Sequence, residues 1–88
     1  MNALPVFRIN LRRARLLKGL TQETIAERAG LAAQHYQDIE AGRRPDIMLS
    51  TIERISAAVE EDIATLLTPD AIPEPLRKRG RAAFRIVR

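Results

Sequence analysis

The sequence predicts an all-α fold of five short helices followed by an extended basic C-terminal tail. Three observations lead there. Apolar residues recur at helical spacing in successive short segments. Gly19, Gly30 and Gly42 fall between those segments, where helices end. No strand-type alternation occurs before residue 80. With 88 residues the chain has room for one small domain, and with 45% apolar but only 3% aromatic residues its core must be aliphatic.

The first helix is expected over roughly Ile9–Lys18, with Phe7, Leu11, Ala14 and Leu17 on the inward side and arginines between them. Gly19 closes it. The second, Gln22–Ala29, opens on Thr21 as N-cap, carries Glu23 in its first turn, and turns Ile25, Ala26 and Ala29 inward. Gly30 and the apolar anchor Leu31 follow. The third runs over Ala33–Ala41, with Tyr36 and Ile39 inward, and stops at Gly42. The fourth, Leu49–Val59, sets Leu49, Ile52, Ile55 and Val59 along one face. A fifth, Asp62–Leu67, begins on an acidic cap and ends before Pro69. Short connections between such helices make an all-α bundle. The helical unit is expected to span residues 1–68. Residues 69–88 read as a proline-containing linker and basic tail, because Pro69, Pro73 and Pro75 deny helix to themselves and to the residues before them. Ala83–Arg88 alternates loosely and can form one short strand.

Charge is distributed unevenly. Residues 1–67 carry nine basic and nine acidic side chains, so the net +4 resides entirely in residues 68–88. Within the first part, residues 1–22 hold five basic and no acidic groups, whereas residues 23–67 hold four basic and nine acidic ones. A neutral body with a basic edge suits contact with a polyanion on one side. A solubilising surface accounts for the same charges equally well. The absence of cysteine removes disulfides, thiolate metal sites and a catalytic thiol, and accords with a reducing compartment. No signal-type or membrane-length apolar run is present, so a soluble, cytoplasmic protein is expected. Two serines, one histidine and no phosphate-binding glycine loop argue against an enzyme, and no cofactor or small-molecule ligand is indicated. His35, without neighbouring ligands, is expected to pack or to sit at a periphery rather than to bind metal.

The informative stretch is residues 21–44, two short helices joined by a tight turn at Gly30, which reads as a helix-turn-helix. Ala26 is small where the helices cross, and Gly30 supplies the left-handed backbone of the turn. On the second of these helices Ala33, Gln34, Gln37, Asp38 and Ala41 form one outward stripe. It is rich in amides and poor in cations, so it suits base edges better than phosphates. Glutamine pairs with the N6/N7 edge of adenine, aspartate accepts from cytosine N4, and an alanine methyl meets the thymine methyl. Taken alone, the same stripe reads more readily as a merely solvated face.

Leu20-Thr21-Gln22, Ala26, Gly30, Ile39-Glu40, Gly42-Arg43-Arg44, the run ERISAAV and the closing Asp62–Leu67 turn together resemble the phage-repressor, lambda-repressor-like or Xre-type, helix-turn-helix family over residues 11–67. The resemblance implies a compact five-helix DNA-binding domain whose third helix lies in the major groove of double-stranded DNA, in a homodimeric transcription regulator. It implies base contacts from Gln34, Gln37 and Asp38, with Ala33 in a slot where relatives carry a longer side chain. Phosphate contacts are implied for Gln22 at a helix N-terminus and for Arg43 and Arg44 in the following loop. Arg15 and Glu40 match a structural ion pair between the first and third helices. The sequence departs from the pattern at Ala32, which lacks a capping oxygen, at Glu60 and Glu61, which replace a glycine and an aliphatic residue, and in the loop Arg43–Met48, one residue longer than usual. Asp38, repelled by phosphate, must face base edges or pair with an arginine. For residues 77–88 three readings stay open: a strand in a dimer, an arm along DNA, or disorder. A protein-interaction adaptor on the same fold, favoured by the acidic second half, is the competing reading of function.

Overall fold

The computed structural model describes residues 2–76, which fold into α1 (Ala3–Leu17), α2 (Gln22–Ala29), α3 (Ala33–Ala41), α4 (Leu49–Val59) and α5 (Ile63–Leu66). The tail residues 77–88, and with them the strand considered for Ala83–Arg88, lie outside the described residues.

Three helices obey their sequence signals to the residue. At α2 the Thr21 hydroxyl accepts from the Thr24 N–H at 3.0 Å, satisfying one orphan donor of the first turn. Its other end closes with Gly30 at φ 72°: the Leu31 N–H donates to the Ala26 carbonyl at 2.8 Å and the Gly30 N–H to the Glu27 carbonyl at 3.1 Å. The same pair of bonds closes α1, α3 and α4. At α4 the left-handed position belongs to Glu60, φ 60°, where a side chain is strained. The Lys18 ammonium compensates there, donating to the carbonyls of Val59 at 2.7 Å and Glu60 at 2.9 Å. The Ser56 hydroxyl donates to the Glu61 carbonyl at the same helix end.

The core is formed by Phe7, Leu11 and Ala14 of α1, Ile25, Ala26 and Ala29 of α2, Tyr36 and Ile39 of α3, Ile52, Ile55, Ala58 and Val59 of α4, and Leu66 of α5. Each large side chain removed from water here contributes on the order of 1.5–3 kcal/mol before chain entropy is charged against it. α2 packs chiefly on α4 and α3, while α1 touches α3, α4 and α5.

Five expectations are corrected. α1 begins at Ala3, well before Ile9: Pro5 lies within the first turn, where its missing N–H is no loss. Leu17 is 50% exposed rather than inward. At about 100° per residue it has drifted roughly 80° from Phe7, on the side away from Leu11. Leu49 is also exposed, at the start of α4. α5 is shorter than expected, and Asp62 occupies its N-cap without a side-chain capping bond. The segment after Thr68 is not simply extended. It turns at Asp70, φ 58°, and delivers Ile72 into the core at 5% exposure. Arg13 holds it there, donating to the Ile72 carbonyl at 3.1 Å. Asn10, buried in α1, ties α5 down by donating to the carbonyls of Leu66 at 2.9 Å and Thr68 at 2.8 Å.

Candidate nucleic-acid interface

α3 is held from beneath. Tyr36 and Ile39 are buried, Leu31 packs against the core just before the helix, and the small Ala26 and Ala29 let α2 approach. The opposite side of α3 is uncovered: Ala33, Gln34 and Ala41 are exposed, and Gln37 and Asp38 are half-buried. Among the described residues no element lies over this stripe. The sequence-derived readers are therefore brought together on one accessible face.

They are also bonded to one another. Gln34 Nε2 donates to Asp38 Oδ1 at 3.0 Å, and Arg43 Nη1 donates to the same oxygen at 2.8 Å. The Gln34 hydrogen bond, then the hydrogen bond and charge of Arg43, hold the Asp38 carboxyl below the usual aspartate range. Asp38 thus meets its electrostatic problem within the chain, by pairing with an arginine. Arg43 is mostly exposed and Arg44 is exposed as well, both in the loop that leaves α3. His35 and Arg44 border a surface cavity of about 190 Å³ with Ile39, Ile47, Met48 and Thr51.

Behind the stripe lies a buried hub on Glu40. Its carboxylate accepts from Arg15 Nε at 2.9 Å and Nη2 at 2.8 Å, from Tyr36 Oη at 2.6 Å and from Gln22 Nε2 at 2.9 Å. Arg15 Nη1 also donates to the Leu20 carbonyl at 3.1 Å, on the connection leading to α2. The Glu40 side chain is only 5% exposed and that of Arg15 11%. Burial pushes the Glu40 carboxyl up, but the bonds from Arg15, Tyr36 and Gln22 outweigh it and hold the group below the ordinary glutamate range. The Tyr36 hydroxyl is driven strongly upward by burial and by its bond to Glu40. One carboxylate thus fixes α1, the start of α2 and α3 relative to each other. The side chain of Gln22, expected at a phosphate, is engaged in this hub. A phosphate there would meet its remaining amide proton and the backbone N–H groups of the α2 first turn.

Sequence reasoning missed Arg8. Its guanidinium lies against Gly42 so closely that a Cβ there would fall 2.8 Å from Cζ, and it adds a third cation beside Arg43 at the end of α3. The signal was available. Arg8 and Arg15 are seven residues apart, two turns, on the same face of α1, and residues 1–22 carry no acid that could claim the charge.

Residues 11–66 match the family described as Helix-turn-helix, of the Xre or lambda-repressor-like class. The chain belongs to that family. This helix-turn-helix protein also resembles the solved structure of a hypothetical transcription factor, NHTF, from Neisseria, at 29% sequence identity and a TM-score of 0.71. The likeness covers 94% of this chain and 85% of that one. No curated protein matches the chain significantly. Regulators of the family bind double-stranded DNA and are generally not enzymes. No helix of the described residues is long and apolar enough to cross a membrane.

Proposed function

We propose that this helix-turn-helix protein is a sequence-specific transcriptional regulator, a repressor or autoregulator. In this reading it docks α3, residues 33–41, in the major groove as a homodimer. The observation that carries the reading is the uncovered stripe Ala33, Gln34, Gln37 and Asp38, directed outward while Tyr36 and Ile39 anchor the opposite side of the same helix. Arg43 and Arg44 at its end, with Gln22 at the start of α2, supply contacts to the phosphates flanking the groove. The name of the Neisseria relative supports a regulatory role.

Selection from a random duplex pool tests this directly. The expected product is a palindromic motif with half-sites about one helical turn apart, bound with a steep inverse dependence on salt. Gln34→Ala should weaken the selected site far more than random DNA. Arg43→Ala should weaken both alike and lower the salt slope by about one. Equal behaviour of the two variants would defeat the division between base readers and positioners. Failure to bind any duplex at low salt, with a protein captured instead, would favour the adaptor.

A further inference from the structure

Assigning Asp38 a base of its own leaves its bonds unexplained, since one of its oxygens is already claimed by two donors. We propose that Asp38 positions Gln34 instead, fixing the orientation of its amide so that Gln34 reads adenine. The inference rests on the groove-docking reading and specifies what that site selects.

A glutamine amide is nearly symmetric in shape and can turn over, exchanging its oxygen for its nitrogen. On bare α3 the two orientations would present donor and acceptor to a base edge in opposite order. Asp38, one turn further along the helix, accepts from Nε2 at 3.0 Å. In the reversed orientation the amide oxygen would face a carboxylate oxygen, acceptor against acceptor. One N–H is thereby committed, and Oε1 and the second N–H remain to face the duplex. An acceptor beside a donor matches the N6 donor and N7 acceptor of adenine. Guanine offers two acceptors on the same edge and would oppose Oε1 with its O6. Arg43, 2.8 Å from the same Asp38 oxygen, neutralises the carboxylate close to the phosphates and restrains its rotamer. The lowered proton affinity of Asp38 accords with a permanently ionised acceptor at neutral pH.

The experiment has two arms. In the DNA-free protein, NMR should show one Gln34 side-chain amide proton shifted and slowed in exchange, and Asp38→Ala should abolish both effects. Unchanged Gln34 resonances in Asp38→Ala overturn the proposal whatever DNA does. In the second arm, wild type, Gln34→Ala, Asp38→Ala and Asp38→Asn are each put through selection from a random duplex pool. The expected result is an adenine preference in wild type, erased by Gln34→Ala. Asp38→Ala should reduce it roughly tenfold at the same position, within what one bidentate amide–base pair supplies. Asp38→Asn, which retains an acceptor oxygen, should keep most of it. If Asp38→Ala instead loses a cytosine preference at a different position, Asp38 reads a base itself and the proposal is wrong. If wild type selects no motif, groove docking fails and takes the proposal with it. The first arm needs no DNA and so separates that failure from a failure of the Gln34–Asp38 pairing.

Discussion

Replacing Arg15 by Met tests the Glu40 hub most severely. The change keeps a long apolar stem but deletes the counter-charge and two of the four hydrogen bonds that Glu40 accepts, those at 2.9 and 2.8 Å. What is left is a carboxylate 5% exposed, held only by Tyr36 and Gln22. Stranding one partner of a buried pair costs on the order of 3–5 kcal/mol. A chain of this size has a total stability of about 4–13 kcal/mol. At about 4–8 °C per kcal/mol the melting temperature should drop by at least ~12 °C. Urea unfolding followed by circular dichroism measures the loss without the ionic screening that guanidinium adds. The pH dependence identifies the cause. In the wild type the carboxyl sits below its ordinary value, so its contribution is present above the unfolded pKa and is lost as pH falls through the folded one. In the variant, burial without Arg15 raises the same carboxyl, so lowering the pH neutralises the stranded charge and relieves the defect. The gap between the two proteins should therefore be widest near pH 7 and shrink towards pH 4. Arg15→Met/Glu40→Leu should recover part of the loss at pH 7. It should not recover all, because the buried Tyr36 hydroxyl is then left without its acceptor, worth about 1–3 kcal/mol. A gap independent of pH, or a double variant no better than the single, would show that lost packing rather than an uncompensated charge dominates.

Three further outcomes follow from backbone geometry. Ala32 stands at the N-cap of α3 with φ −64° and ψ 144° and offers no side-chain acceptor, so Ala32→Ser should stabilise by about 1 kcal/mol, seen as a higher melting temperature. Glu60→Gly should relieve the left-handed strain at the end of α4 and stabilise by roughly 0.5–1 kcal/mol in urea titrations; a loss would mean that the Glu60 side chain contributes more than its strain. Gly42→Ala should destabilise by about 1–2 kcal/mol through its φ of 85° alone, with the Arg8 guanidinium forced to move as well. Adding Arg8→Ala should recover only the second part, measured as a double-mutant cycle.

How much of this was legible in the sequence depended on whether the signal was local. The bounds of α2 and α3 follow from the glycines at their ends and the Thr21 cap, and those of α4 from its apolar stripe, all of them contained within a few residues. The start of α1 was obscured by Pro5, which reads as a breaker until its place in the first turn is known. Ile72 was obscured by the prolines around it: an isolated apolar residue in such a stretch gives no periodicity, and its burial depends on Arg13, 59 residues away. At the candidate interface the stripe on α3 was readable because it is one helix face. The engagement of Gln22 with Glu40 depends on tertiary proximity that spacing does not reveal; spacing put Arg8 on the Arg15 face of α1, though not its contact with Gly42.

The position of α1 has a mechanical consequence. Arg8 and Arg15 reach from one side of it to the end of α3 and to Glu40, while Asn10 and Arg13 reach from another side to α5 and the segment at Ile72. A helix of 15 residues is a rod roughly 22 Å long that does not bend to absorb a local shift. Cutting the chain at residue 68, or pulling on it there, would tilt the rod and the α3 stripe together. In the proposed docking, occupancy of DNA would then change without alteration of any residue of the stripe.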